Sequence, residues 1–334
     1  MAAVGEAQSH GARLRAACSA VGISARTVER WRKEPGGTDG RRGPRHQPAN
    51  ALTSFEVAKM AAIMTSAENA GRTPKQLVPH LADQGVYLAS ESTLYRLQQR
   101  LGLRRPRRSP SRTQVTRAST VHQATGPNKV WSWDITYLPT PVRGSYLYLY
   151  LVVDVWSRRI VGWTIEDRES AEHAAAFITQ IAERTRVDLR GLVLHSDNGT
   201  PMRGSTMVAT MQWLGIVPSF SRPHVSNDNP YSEALFRTLK CTPAYQRLPF
   251  PSLDGARRWV TSFVAWYNGV HRHSAIRFVT PDERHFGLEP SVLEHRRAVY
   301  ERARRKHPER WTGSTRNWTP IGMVVLNPQR ASAA

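Results

Sequence analysis

Trp131-Ser-Trp-Asp-Ile-Thr-Tyr-Leu138 is the run that decides how this chain is read. Aromatic and β-branched residues dominate it, so it predicts a strand, Val130–Leu138, with a carboxylate, Asp134, inside it. Working outward, further strands are predicted at Tyr146–Val153, Arg159–Ile165, Gly191–Ser196 and Ile216–Phe220. Helices are predicted at Ser170–Arg184, where Ala174, Phe177, Ile178 and Ile181 form one stripe, and at Gly204–Leu214. Three strands joined by short turns and then strands alternating with helices give an α/β fold, a mixed sheet flanked by helices.

Two more acids stand in similarly telling places. Asp197 ends the strand-like run Leu192-Val-Leu-His-Ser-Asp-Asn-Gly199, and Glu233 opens a helix after Asn229-Pro230. Thirty-five residues separate Asp197 from Glu233. Hard divalent cations need oxygen ligands brought from separate elements to one point, with room left for phosphate and water. On the helix after Pro230, Glu233, Arg237 and Lys240 share a face while Leu235 and Leu239 point elsewhere. That edge suits a phosphate backbone approaching a metal, although a solvated polar face would read the same way.

Composition bounds the partner. Among 334 residues, 47 Lys and Arg against 26 Asp and Glu leave a net charge of +21. This implies a polyanion, and nucleic acid before all others. Residues 1–125 carry 20 of the basic residues and 8 of the acidic ones. Cys18 and Cys241 are too few for a zinc site or a disulfide framework, which fits a reducing interior. No secretory leader is read, and the longest apolar run, Tyr146–Val153, is too short for a bilayer. A soluble, cytoplasmic, nucleoid-associated protein is expected.

The chain before the sheet reads as two helical units. Leu14, Ala17, Cys18 and Val21 recur at helical spacing, Gly22 breaks that helix, and Ser24 caps a second, Ala25–Lys33. The second helix should bury Val28 and Trp31 and present Arg26, Arg30, Arg32 and Lys33 to a DNA groove; any basic helical hairpin would look alike. Thr53-x-x-Glu56 is a capping box, Thr73-Pro74 starts another helix, and Ser90–Arg100 forms a third with Leu94 and Leu97 inward and Arg96 and Arg100 outward. Arg104, Arg105, Arg107 and Arg108 make a basic connector. The boundaries are a helix-turn-helix at 1–34, a Pro/Gly/Arg linker at 35–50, a second helical DNA-binding unit at 51–103, a basic linker at 104–128, the α/β unit at 129–288 and a basic tail module at 289–334.

Taken in order, several segments resemble the acidic-triad catalytic core shared by retroviral integrases and insertion-sequence transposases. They are Trp133-Asp-Ile-Thr-Tyr137, Asp154-Val-Trp-Ser-Arg-Arg-Ile-Val-Gly162, His195-Ser-Asp-Asn-Gly199, Asp228-Asn-Pro-Tyr-Ser-Glu233 with Lys240, and Tyr267-Asn268 followed by Arg272-His273 and Thr280-Pro281. Ser90–Arg96 resembles the segment upstream of that core. The likeness covers about residues 50–290.

The resemblance implies an RNase H-like fold and a DNA transposase that cleaves 3′ ends and joins them to target DNA. It also implies Asp134, Asp197 and Glu233 as catalytic ligands of two Mg²⁺ ions, with Mn²⁺ able to substitute, and a dimer or higher oligomer on double-stranded DNA. Lys240 and Arg237 would position phosphates.

The chain departs from the family where Asn198-Gly-Thr-Pro-Met202 replaces the usual Arg-Gly-Ser-Gln-Tyr, and it shows no heptad run before the core. Asp154, beside Arg158, reads as a structural ion pair or turn, and Asp228-Asn229 as helix-start chemistry. His271 and His273 read as packing or phosphate contact rather than metal ligands. The competing classes are a DNA-binding regulator with an inert α/β scaffold and a nuclease acting on RNA–DNA hybrids. The first leaves the three acids unexplained, the second the two helical units.

Overall fold

The computed structural model describes residues 2–33, 48–69, 71–103, 121–222, 228–242 and 249–328. They form two compact units, Met1–Ala51 and Leu52–Ala334.

The first unit holds α1 (Ala2–Ser9), α2 (Leu14–Ala20) and α3 (Ala25–Lys33) around Val4, Ala17, Cys18 and Val28. Gly22, at φ +69°, ends α2, and the Ser24 hydroxyl accepts from the Thr27 amide at 3.1 Å. Two expectations change. The reading lacked α1, whose Val4 fills the small core, and Trp31 stands 39% exposed instead of buried.

In the second unit, α4 (Ser54–Thr65), α5 (Pro74–Asp83) and α6 (Glu91–Arg100) precede β1 (His122–Ala124). Then come β2 (Val130–Pro139), β3 (Tyr146–Asp154), β4 (Ile160–Glu166), α7 (Ala171–Thr185) and β5 (Val193–Ser196). The chain continues through α8 (Thr200–Arg203), α9 (Ser205–Trp213), β6 (Val217–Phe220), α10 (Pro230–Cys241) and α11 (Leu253–Gly269). It closes with α12 (Pro281–His285), α13 (Glu289–Lys306) and β7 (Val324–Leu326).

The main sheet runs β4-β3-β2-β5-β6. Strands β2, β3 and β4 form an antiparallel meander, and β5 and β6 continue it in parallel. With helices on both faces, this is the mixed sheet flanked by helices that the alternation of strands and helices predicts. Side chains alternate across β3: Tyr150 and Val152 join Trp131, Trp133, Phe177, Ile178, Ile181 and Met207 on one face. Leu149, Leu151 and Val153 join Leu235, Leu239, Val260 and Phe263 on the other. A strand buried on both faces reads as a continuous apolar run, and Tyr146–Val153 does.

The outer segments assemble differently from their expected division. Met60, Leu77, Leu81, Leu94 and Leu97 share one core with Ile276, Leu293, Val299, Tyr300 and Trp318. Arg272 pairs with Asp83 at 2.6 Å, the Arg296 Nη2 donates to the same carboxylate at 3.0 Å, and Arg310 pairs with Glu56 at 2.8 Å. The Arg310 hydrogen bond holds the Glu56 carboxyl down to about 2 while Glu56 also closes the Thr53 capping box. Boundaries at 103 and 289 therefore do not separate independent cores. Among the described residues no helix is long and apolar enough to cross a membrane.

Candidate active site

Asp134 lies in the middle of β2, half-buried, with Oδ1 accepting from the Ile135 amide at 2.8 Å. β2 and β5 run parallel with Ser132 opposite His195, so continuing that register sets Asp134 beside Asp197, one residue past the end of β5. The Ser221 hydroxyl donates to Asp197 Oδ1 at 2.7 Å. Glu233 stands in the first turn of α10.

Buried polar groups lock that turn to β2. The Asn229 Nδ2 donates to the Trp133 carbonyl at 3.0 Å, and the Ser132 hydroxyl bonds the Asn229 Oδ1. Because that oxygen only accepts, the Ser132 proton points to it, and the Ser232 hydroxyl must donate to Ser132 Oγ, 2.7 Å away. The sheet thus carries the base of α10 on the strand that holds Asp134. Sequence reasoning missed Ser132, Asn229 and Ser232 as a locking network. Only the packing of α10 on β2 reveals it.

The charges feel one another. Burial pushes the Asp134 carboxyl up to about 7, and the negative charges of Asp197, Glu233 and Glu169 add to that, against the Ile135 amide, which pulls it down. Burial and then Asp197 raise Glu233, while Arg237 lowers it. Among the described residues no group of three or more His, Cys, Asp or Glu side chains is placed to hold a metal ion. The acids are neighbours in each other's field, not a finished cage. Glu169, just before α7, is a fourth acid near the cluster; no spacing in the sequence marks it.

In the unfolded chain the Asp134 carboxyl ionises near 3.8, and in the fold at about 7. Between those values the folded state binds the extra proton, so stability falls as pH rises through that window and stays low above it. Asp134→Asn should therefore stabilise the metal-free protein by roughly 1–3 kcal/mol near pH 8, with the gain vanishing below about pH 4. Urea melts of both proteins at the two pH values check this; an equal difference at both would refute the shifted acid.

The remaining singled-out residues take distinct places. Asp154 is fully buried and accepts from the Asn128 amide and from the Ser157 amide and hydroxyl, each at 2.7 Å. It organises a turn. Arg158 instead donates to the Val155 carbonyl and lies 4.2 Å over the Tyr231 ring, so an Asp154–Arg158 pair is not what holds this corner. Asp228 pairs with Arg222 at 2.8 Å, and Asn229, at the N-cap of α10, makes no side-chain cap bond. His271 packs on Trp266 and Tyr267 with ring centres 4.9 and 5.4 Å away, and burial pulls its pKa down to about 4. Burial likewise pulls His273 down to about 3. In the loop where the sequence departs from the family pattern, Asn198 donates to the Ser221 carbonyl and Met202 is buried in the α7–α9 core.

Arg26, Arg30, Arg32 and Lys33 are exposed on α3, and Arg32 also reaches Gln8 on α1. Arg96 and Arg100 are exposed on α6, opposite the buried Leu94 and Leu97. Arg237 and Lys240 are exposed along α10. Arg104, Arg105, Arg107 and Arg108 lie outside the described residues, as does most of the 35–50 linker.

Two family models, each described as an integrase core domain, match residues 124–226 and 214–281. Over residues 124–281 the chain is thus similar to integrase core domains. It is 28% identical over 234 residues to the transposase for insertion sequence element IS904 of Lactococcus lactis, covering 70% of this chain and 85% of that one. It is 31% identical over 161 residues to transposase InsF for insertion sequence IS3A of Escherichia coli, where the match covers 48% of this chain and 54% of the relative. The chain thus spans about half the length of the InsF relative. Among solved structures, the catalytic core domain of BIV integrase overlaps 49% of this chain and 97% of its own, with 20% identity and a TM-score of 0.38. The matched stretch spans the elements that carry Asp134, Asp197 and Glu233.

Proposed function

We propose that this protein is a DNA transposase that binds the ends of an insertion sequence and catalyses metal-dependent 3′-end cleavage and strand transfer. The observation that carries the proposal is the convergence of Asp134, Asp197 and Glu233, from β2, the end of β5 and α10, into one shared electrostatic field.

The donor chemistry fits hard divalent cations. Asp134 and Glu233, both raised by burial and by the charge of Asp197, make with Asp197 an anionic, all-oxygen site, which favours Mg²⁺, with Mn²⁺ able to substitute. When bound, such ions supply Lewis-acid activation of the attacking oxygen and charge stabilisation at the leaving oxygen.

The chain's own residues do the rest. Asp134, Asp197 and Glu233 hold the site in place, and Arg237 and Lys240 lie on the same helix as Glu233, where a phosphate backbone would pass. The exposed arginines of α3 and α6, with those of the 104–108 connector, supply phosphate and groove contacts. Direct attack by water and then by a 3′-OH needs no Ser or Tyr nucleophile. Synapsis of two ends calls for at least a dimer on DNA, and work on chromosomal DNA for a cytoplasmic, nucleoid-associated protein.

Duplexes taken from the DNA flanking the gene, where short inverted repeats mark the ends, test this. With Mg²⁺ the chain should nick a terminal duplex to leave a 3′-OH and then join it to a second DNA, and EDTA should stop both. Tight end binding with no nicking in Mg²⁺ or Mn²⁺ would instead identify a regulator with an inert core. Cleavage confined to RNA–DNA hybrids would identify a nuclease.

A further inference from the structure

The C-terminal segment does not trail away from the sheet. It returns to the foot of α10. β7 pairs antiparallel with β1, His122 opposite Leu326 and Ala124 opposite Val324. Val324 and Leu326 are buried with Ala124, Val130 and Val155. Upstream, the Ile321 carbonyl accepts from Arg284 Nη2 at 2.7 Å and the Gly322 carbonyl from the Trp156 indole at 3.2 Å. The Tyr231 hydroxyl, in the first turn of α10, donates to the Val325 carbonyl at 3.3 Å.

The last contact is the most pointed. Asn327, with φ +53°, donates from Nδ2 to the Asp228 carbonyl at 2.8 Å. The same carbonyl lies 2.9 Å from His195 Nε2, which must therefore carry its proton. His195 Nδ1 is then an acceptor, so Ser219 donates to it at 2.9 Å and His122 Nε2 donates to Ser219 at 2.7 Å. His122 belongs to β1, the partner of β7. A closed ring of directed bonds thus joins β1, β6, β5, Asp228 and Asn327. Asp228 precedes Asn229, which is tied to β2, and Glu233 follows one turn later.

We propose that residues 321–327 are a strap that fixes the base of α10 and so sets where Glu233 points, with Asn327 as a positioning residue. This rests on the reading of Glu233 as a metal ligand. The tail module is then part of the catalytic apparatus, not an appendage. Nothing in the triad spacing requires it: a chain ending after α13 would keep all three acids and lose the second donor to the Asp228 carbonyl.

Asn327→Asp keeps the shape and tolerates the left-handed backbone but turns a donor into an acceptor facing a carbonyl. Asn327→Gly removes the amide and fits the same φ. Hydrogen exchange on the whole chain should show amides 229–236 exchanging about tenfold faster in both variants, with strands 149–165 unchanged. Calorimetric titration with Mn²⁺ should show affinity roughly tenfold weaker, while gel-shift affinity for end DNA stays the same. Unchanged exchange at 229–236 overturns the strap. Faster exchange with unchanged Mn²⁺ affinity overturns its role in placing Glu233. A wild-type chain that takes up no Mn²⁺ removes the metal reading itself, and the exchange result still decides the strap.

Discussion

Asp197→Asn should lower metal-dependent nicking and joining by at least about a thousandfold and leave binding to element ends intact. The substitution keeps the side-chain shape, and the Ser221 hydroxyl that donates to Asp197 Oδ1 can donate equally to an amide oxygen, so the local fold has little reason to move. What is lost is one of the negative charges that make the site attractive to a cation. Bound divalent ions would be worth several kcal/mol of transition-state charge stabilisation, and each 1.36 kcal/mol is tenfold in rate, which sets the size of the loss at about 10³ or more. The arginines of α3 and α6 lie on other elements, so gel shifts should be nearly those of the wild type. Retained strand transfer in Mg²⁺ would rule out the assignment of Asp197.

Arg284→Ala should have the largest effect on folding. Arg284 is fully buried and meets Glu289 through Nη1 at 2.7 Å to both carboxylate oxygens. Its Nε donates to the Trp156 carbonyl at 2.9 Å, and its guanidinium lies 4.1 Å over the Trp156 ring. It also holds Ile321 at the start of the strap. Truncation leaves Glu289 as an uncompensated charge beside orphaned carbonyls, at a cost of about 3–5 kcal/mol. Burial already pushes the Glu289 carboxyl up and Arg284 pulls it down, so the variant should take up a proton there. Urea midpoints measure the loss, and Arg284→Met with Glu289→Leu should recover much of it. Arg190→Ala, breaking the exposed pair with Asp188, is the control and should leave the midpoint unchanged. A midpoint for Arg284→Ala within error of that control would show that the buried pair is not a keystone.

The sheet was readable because its signals are local. Val130–Pro139 and Tyr146–Asp154 announce themselves by residue type, and Ala174, Phe177, Ile178 and Ile181 by spacing. The acids stood out because each ends or interrupts an element with a clear pattern. Features that depend on distant partners left no such trace. Pairing of residues 122–124 with 324–326 joins two short segments across the whole core, and neither alternates enough to be called a strand. Ser132, Asn229 and His195 are polar residues whose burial makes sense only once their partners are seen. Helical position alone puts Trp31 inside, but whether a large side chain is covered depends on what other elements pack there, and the small core is formed by Val4, Ala17, Cys18 and Val28. The ion pairs Arg296–Asp83 and Arg310–Glu56 likewise bind segments far apart in sequence, which is why α4 to α6 and α13 read as separate modules.

If Asp134, Asp197 and Glu233 share one site built for cations, the ionisation of Asp134 reports on it directly. Carbon-13 titration of the Asp134 carboxyl in the whole chain should give a value of about 7 without divalent metal, and saturating Mg²⁺ should pull it down by several units. An Asp134 that titrates at the same pH with and without Mg²⁺ would mean that the three acids do not form a cation site.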